Sequence, residues 1–303
     1  MTLIALKVDV DTFRGTREGV PRLAHLLERL DARATFLFSL GPDHTGRALK
    51  RVFRRGFLGK VRRTSVLEHY GIRTLLYGVL LPGPHIGRRC RQFMQDVERS
   101  GFEVGVHTWD HTRWQDGVAR ADEAWTRREL ALAVEEFTEI FARAPQVHGA
   151  AGWQMNRHVP WLEQELGFRY ASDTRGVGPF LPVFDGRAAP VPQLPTTLPT
   201  LDELIGREDL HGEDPVEHLL SLTAGSTRRD QVFTLHAELE GGAYLAAFER
   251  LLREWKARGA RLTDLATYAA TLDFSDLPRC NIVAGSVAGR VGTLALQAPG
   301  REA

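Results

Sequence analysis

The stretch LIALKVDVDTFRG (residues 3–15) joins an apolar run to two aspartates, Asp9 and Asp11. Residues i and i+2 of a strand point to the same face, so a strand here places the two carboxylates side by side. A turn or a helix cap explains a lone Asp-Thr pair, whereas a bound cation explains paired negative charge at the end of a buried strand. The stretch therefore predicts a buried strand that ends at a candidate site.

Similar apolar runs recur along the chain and alternate with amphipathic helical patterns. Their near-continuous apolar character is typical of strands covered on both faces of a sheet. They are ARATFLFSL (32–40), FEVGVHT (102–108), PQVHGAAG (145–152), FRYASD (168–173) and DQVFTLHAEL (230–239). The alternation predicts an α/β fold with a parallel sheet or barrel, whose functional groups follow the strand C-termini.

Composition fits an ordinary globular chain. The 303 residues are 43% hydrophobic and 25% charged, enough for a core in one large or two small domains. Cys90 and Cys280 lie far apart, which argues against a disulfide framework or a thiolate zinc site and favours a reducing, cytoplasmic setting. We expect no signal peptide and no membrane span, because the longest apolar run, before Pro82, has about eight residues where a span needs roughly twenty.

Charge is concentrated between His44 and Arg91. That segment carries twelve Lys and Arg against one acid, so its net charge is +11 and the remainder is −10. It separates the second strand from the helix before the third, which is too long for an ordinary connection and indicates an insertion. We expect one domain over residues 2–273 that includes this insertion, followed by a tail over 274–303.

Within the insertion, residues 47–63 form a basic amphipathic pattern. Such patterns lie in membrane interfaces, with each cation near an anionic leaflet contributing about 1 kcal/mol. The candidate membrane or substrate contacts are Arg51, Arg54, Arg55, Phe53 and Phe57. Arg88, Arg89 and Arg91 are alternative ligands for a substrate phosphate. Nucleic-acid binding is disfavoured by the apolar face, and a solvated basic surface remains open.

Histidines follow two of the predicted strands. His107 and His111, in VHTWDH, are four residues apart, and a helical turn beginning after His107 would let both imidazoles converge on one ion. Two histidines and one carboxylate suffice for catalytic zinc or another first-row divalent ion, with a position left for water. His236 ends the late strand and falls on the same predicted rim.

The order Asp-x-Asp, His-Thr-x-x-His and a late Leu-His resembles the metal-dependent polysaccharide deacetylases, the NodB-homology or carbohydrate esterase 4 family. The resemblance covers most of residues 2–270 and implies an irregular (β/α) barrel of the NodB-homology type with one divalent metal ion. Carried over by motif, the implied roles are a general base at Asp9, metal ligands at Asp11, His107 and His111, and a general acid at His236.

Two motifs depart from the family pattern. The third usually reads Arg-x-Pro-Tyr-Gly, whereas residues 148–152 read HGAAG, so the arginine that orients the base is missing. The backbone N–H near Ala151 remains a candidate oxyanion donor. Asp173, in YASDTRG, matches the family aspartate that tunes the acid histidine, with a capping role as the alternative.

Three stretches are similar to one branch of the family: DVDTFRGTREGVP, HTWDH and HGAAGWQMN. That branch deformylates 4-deoxy-4-formamido-L-arabinose carried on undecaprenyl phosphate. The resemblance implies a role in lipid A modification and cationic-peptide resistance, at the cytoplasmic face of the inner membrane, with anionic lipid as a second partner. A peptidoglycan or chitooligosaccharide N-deacetylase is the alternative within this chemistry, and a non-catalytic lipid-binding scaffold is the alternative outside it.

Overall fold

A curled seven-stranded parallel sheet dominates the computed structural model, which describes residues 2–48, 74–224 and 230–298. A second sheet of four strands lies apart from it. The strands are β1 (Leu3–Val10), β2 (Thr35–Ser39), β3 (Glu103–Thr108), β4 (Val147–His148), β5 (Tyr170–Ala171), β6 (Leu181–Phe184), β7 (Arg187–Ala188), β8 (Gln231–His236), β9 (Arg261–Thr263), β10 (Arg279–Gly285) and β11 (Leu294–Gln297). The large sheet has the order β5-β4-β3-β2-β1-β8, with β9 also paired to β1, and the small one β11-β10-β6-β7.

Helices connect these strands as the amphipathic patterns predict. They are α1 (Val20–Arg29), α2 (Ile86–Arg99), α3 (His111–Gly117), α4 (Glu123–Phe141), α5 (Val159–Glu165), α6 (Leu201–Leu204), α7 (Pro215–Leu222), α8 (Leu245–Ala257) and α9 (Leu265–Ala269). The Asp122 side chain caps the N-terminus of α4 by accepting from Trp125 N–H, and left-handed Ala142 (φ 54°) ends it. The predicted α/β barrel-like fold is confirmed.

Strand β1 is buried on both of its faces. Ile4, Leu6 and Val8 point outward into the core formed with the helices, while Ala5 belongs to the cluster inside the curled sheet. Burying a side chain such as Leu6 stabilises the fold by about 1.5–3 kcal/mol, so Leu6→Ala would cost roughly 2–5 kcal/mol with its cavity. The inward face of β1 continues through Lys7 to Asp9.

Register brings the strand ends to a common rim. Asp9 pairs with Leu37 of β2 and with His236 of β8, while Ser39 pairs with Thr108 of β3. Polar residues that follow β1, β3 and β8 therefore converge without any long loop between them. The backbone hydrogen bonds between neighbouring strands fix the spacing of these polar residues.

Two segments in the C-terminal half of the chain build the second sheet. The Pro- and Gly-rich stretch 176–199 holds the antiparallel hairpin β6–β7. The expected tail, 274–303, contributes β10 and β11, which complete the second sheet. Across the described ranges, no helix has the length and apolar character to cross a membrane. The predicted contacts Arg51, Phe53, Arg54, Arg55 and Phe57 lie outside the described residues.

Candidate active site

The loop after β1 is held by carboxylates from distant parts of the chain. Glu238 Oε1 accepts hydrogen bonds from the N–H groups of Asp11 (3.2 Å) and Thr12 (2.9 Å) and from Thr12 Oγ1 (2.7 Å). Asp43 Oδ2 accepts from Phe13 N–H at 2.9 Å. Gly15 permits this packing, since a Cβ there would lie 1.9 Å from Glu238 Oε1. These hydrogen bonds therefore fix the turn that carries Asp11.

His107 and His111 converge through a strand-to-helix turn. His107 belongs to β3, whereas α3 begins at His111, with Asp110 as its N-cap accepting from Arg113 N–H at 3.1 Å. The helical turn that follows His107 begins at His111, because Asp110 adopts extended backbone as its cap (φ −125°). The imidazole centroids still lie 5.4 Å apart.

The atoms of this cluster fit a metal ion. His107 Nδ1 lies 2.6 Å from the Gly149 carbonyl, so Nδ1 carries the proton and Nε2 offers a lone pair. Nε2 of His107 faces Asp11 Oδ1 at 3.2 Å, and His111 Nε2 faces Asp11 Oδ2 at 3.4 Å. Ligands of a tetrahedral ion at about 2.0 Å must stay roughly 3.3 Å apart, which these separations match. Buried Asp11 Oδ1 has no hydrogen-bond partner among the described residues, as expected of an atom reserved for a cation.

Burial and nearby charge act on two groups of this cluster. Burial alone would raise the pKa of Asp11, but its interactions with His111 and His107 lower it by more, so the net pKa lies well below the usual range. Burial lowers the pKa of His111 against the attraction of Asp11. An ionised carboxylate and neutral imidazoles are the forms that bind a divalent cation.

His236 closes the other side of the rim. Its Nδ1 lies 3.9 Å from Asp202 Oδ1, and Trp153 packs edge-on against its ring with centroids 6.2 Å apart. Burial lowers the pKa of His236, but the attraction of Asp202 and Asp11 outweighs it, so the net shift is upward. Arg290, from the turn before β11, extends to within 3.6 Å of Asp202. The imidazole is therefore poised to carry a proton.

Asp9 lies between these two groups and inside the curled sheet. It is 2% exposed; its Oδ2 lies 3.4 Å from Lys7 Nζ, and its Oδ1 lies 3.8 Å from His107 Nδ1. Asp9 Oδ1 is a buried oxygen that accepts no hydrogen bond from any described residue. A carboxylate oxygen left free in this way is available to accept a proton.

Asp173 contacts a different histidine from the one expected. Its Oδ1 lies 3.1 Å from His148 Nδ1 and accepts from Ala150 N–H at 2.7 Å, while Oδ2 accepts from Gln193 Nε2 at 2.7 Å. The carboxylate facing His236 is that of Asp202. Asp173 therefore braces the 148–152 loop, and its predicted influence on His236 has no contact to act through here.

His148, Glu163 and Asp173 form a second buried cluster, with His148 Nδ1 only 2.7 Å from Glu163 Oε1. That is a hydrogen-bond distance, too short for two ligands of one ion. Burial lowers the pKa of His148, but Asp173 and Glu163 raise it to about 10 overall. Burial and Asp173 raise the pKa of Glu163 well above its usual value, although His148 acts in the opposite direction. The cluster is a buried ion pair with a protonated acid beside it.

Residues 151–153 turn back toward the cavity. Ala151 begins a short 3-10 turn, a position whose N–H has no partner within its own helix. Gly152 adopts φ 63° and lines the cavity, and the neighbouring Trp153 donates from Nε1 to Thr196 Oγ1 at 3.0 Å. The role of the Ala151 N–H as an oxyanion donor stays a prediction.

A cavity of about 240 Å³ unites these groups. Asp9, Asp11, His107, His111 and His236 line it, together with Asp202 and Arg290. Thr45, Ala48 and Leu75, from the described ends of the insertion, form part of its wall. Arg88, Arg89 and Arg91 are instead exposed on α2.

Sequence reasoning missed several contributors to this site. Lys7 shares the inward face of β1 with Asp9, and the i, i+2 spacing was the signal that could have revealed it. Glu240 Oε2 accepts from His236 N–H at 2.8 Å, and its proximity in HAELEG was a second signal. Asp202 and Arg290 lie in segments without a periodic pattern, so nothing in the sequence pointed to them.

Comparison of this chain with known proteins finds a family and relatives of similar sequence. The polysaccharide deacetylase family matches residues 3–171. A probable 4-deoxy-4-formamido-L-arabinose-phosphoundecaprenol deformylase, ArnD, of Shewanella sediminis (strain HAW-EB3) is 33% identical over 98% of this chain and 95% of its own. The protein of the same name from Wigglesworthia glossinidia brevipalpis is 30% identical over 93% of this chain and 98% of its own.

Solved structures show the same fold at lower identity. A putative polysaccharide deacetylase from Mycobacterium smegmatis has a TM-score of 0.61 and 19% identity over 92% of this chain and 93% of its own. A probable polysaccharide deacetylase from Pseudomonas aeruginosa PAO1 has a TM-score of 0.56 and 17% identity over 88% and 90%. The curled parallel sheet is therefore shared with these proteins.

Proposed function

Because the chain belongs to the polysaccharide deacetylase family, whose members are hydrolases acting on amide bonds, we propose that it deformylates 4-deoxy-4-formamido-L-arabinose carried on undecaprenyl phosphate. The observation that carries the proposal is the register of β1 and β8. It pairs Asp9 with His236 on neighbouring strands, beside the Asp11, His107 and His111 cluster. The proposed substrate is the one given in the names of the two relatives, which are called deformylases.

Each residue of the rim has a task in amide hydrolysis. A divalent ion held by Asp11, His107 and His111 would lower the pKa of a water molecule and polarise the formyl carbonyl. Asp9 accepts the proton of the attacking water through its free Oδ1. The backbone at Ala151 donates toward the developing oxyanion. His236 protonates the leaving amine, which avoids expulsion of a strongly basic amide anion.

A lipid-linked substrate agrees with the exposed apolar residues of the insertion. Leu80 is 76% exposed, and its neighbours Val79 and Leu81 are also exposed, within the insertion whose ends line the cavity wall. The +11 charge of the segment from His44 to Arg91 adds attraction to anionic lipid. We therefore place the reaction at the cytoplasmic face of the inner membrane, in lipid A modification and resistance to cationic peptides.

Substrate choice tests the proposal directly. Protein reconstituted with zinc, manganese or cobalt is incubated with formamido-sugar and acetamido-sugar polyprenyl phosphates, and formate and acetate are quantified. We expect formate release, loss of turnover in Asp9→Asn, and metal dependence that a chelator reveals. Acetate release in preference to formate would show an N-deacetylase instead. No release of either acid by the metal-loaded protein would contradict the proposal.

A further inference from the structure

We propose that Lys7 is the positioning residue of Asp9, supplying from strand β1 the cation that orients the base. The proposal rests on the proposed function, because it assigns a partner to the base of that reaction. Residues 148–152 read HGAAG, so the strand end of β4 offers no arginine for this purpose. His148, the one cationic side chain in that stretch, is occupied by Glu163 and Asp173.

Lys7 is a fully buried cation on the inward face of the sheet. Its side chain is 0% exposed, and the 3.4 Å contact with Asp9 Oδ2 is its ion pair within the described part of the chain. A buried ammonium costs several kcal/mol unless it is paired and hydrogen-bonded. An apolar residue would satisfy packing at this position with a smaller free-energy cost. The buried ammonium therefore indicates a further role for Lys7.

Two contacts besides the Asp9 ion pair fix the ammonium in place. Lys7 Nζ donates to the Ser172 carbonyl at 2.8 Å, and it lies 5.4 Å from the centroid of the Trp153 ring. Gly149 leaves the necessary space, since a Cβ there would lie 3.1 Å from Lys7 Cε. The Lys7 ammonium is therefore held in one position, unlike the flexible side chain of a surface lysine.

The geometry assigns the two oxygens of Asp9 to separate tasks. Oδ2 faces Lys7, while Oδ1 is the buried oxygen left without a hydrogen-bond partner in the described residues. Holding one oxygen fixes the carboxylate rotamer and directs the other toward the cavity that Asp9 lines. Orientation of this kind acts on turnover more than on substrate binding, and a misplacement of 1 Å can cost about 10²-fold in rate.

Two substitutions of Lys7 separate positioning from folding. Lys7→Met keeps the length and removes the charge, whereas Lys7→Arg restores a cation. We expect Lys7→Met to lower kcat roughly 10- to 100-fold with KM within about twofold of the wild type and one metal per chain retained. Lys7→Arg should recover most of kcat. Thr35→Val is the matched control, because Thr35 is the β2 register partner of Lys7 but bonds to Glu103.

A double-variant cycle with Asp9→Asn decides the mechanism. If Lys7 acts through Asp9, Lys7→Met adds almost nothing to the loss caused by Asp9→Asn. Multiplicative losses, failure of Lys7→Arg to restore kcat, or an equal kcat loss in Thr35→Val would show a structural role and overturn the inference. Full activity in Asp9→Asn would instead refute the base assigned under the proposed function, so the two failures are distinguishable.

Discussion

Replacing His148 by glutamine should destabilise the protein in a pH-dependent way. The substitution removes a buried cation from between Asp173 and Glu163 while keeping a polar side chain of similar length. Burial lowers the pKa of His148, but Asp173 and Glu163 raise it by more, from 6.5 to about 10 overall. Because the raised pKa belongs to the folded state, the stabilisation is fully present below pH 6.5 and is lost as pH rises through 10.

The magnitude follows from the size of that shift. At 1.36 kcal/mol per unit, the pair contributes about 5 kcal/mol at pH 5.5, about 3 kcal/mol at pH 7.5 and about 1 kcal/mol at pH 9. Breaking a buried pair by removing one partner costs 3–5 kcal/mol in other proteins, which agrees with these values. At pH 7.5 the expected loss corresponds to a fall in Tm of roughly 5 °C, because a chain of 303 residues has a large unfolding entropy.

Urea unfolding of wild type and His148→Gln at pH 5.5, 7.5 and 9 measures this dependence. Glu163, whose pKa is also raised, loses stabilisation in the same direction, so the difference between the two proteins is the informative quantity. The control is His218→Gln, since His218 pairs with Glu213 near the surface and should contribute about 0–1 kcal/mol. A difference that stays constant from pH 5.5 to 9 would refute the ion-pair interpretation.

Three further predictions concern the site and the insertion. The double variant His107→Ala, His111→Ala should lose bound metal, as measured by elemental analysis; one metal per chain in that variant would contradict the ligand assignment. His236→Ala should retain metal and lose about 10² to 10⁴ in kcat, because the leaving amine has no proton donor; wild-type turnover would remove it from the mechanism. Phe53→Asp with Phe57→Asp should abolish sedimentation with anionic vesicles, while high salt alone weakens it partly; sedimentation like the wild type would show that these phenylalanines make no membrane contact.

Sequence reasoning succeeded where burial leaves a continuous apolar signature. β1, β2, β3 and β8 are covered on both faces, so their runs were recognisable, and residues at their ends were brought to one rim. Spacing, position at strand ends and the order of the family motifs together predicted Asp9, Asp11, His107, His111 and His236 as neighbours, and all five line the cavity.

The remainder depends on contacts that leave no local pattern. β10 is largely exposed, so its sequence lacks the apolar run of a core strand. Arg290 and Asp202 meet across 88 positions of chain within irregular connections, and no periodicity links them. Asp173 matched a family motif in sequence, yet the short strand β4 places His148 closer to its carboxylate than any group of the cavity.

The central place of β1 in the sheet has a consequence for biosynthesis. β1 leaves the ribosome well before β8, which pairs with one of its edges and lies more than 220 residues later in the chain. At about 5–20 residues per second that partner appears roughly 10–45 s after β1, and sheets built from such distant segments fold slowly. During translation, the apolar strand that bears Lys7 and Asp9 therefore has one edge without a pairing partner. We expect nascent chains of this protein to depend on chaperones until β8 has been synthesised.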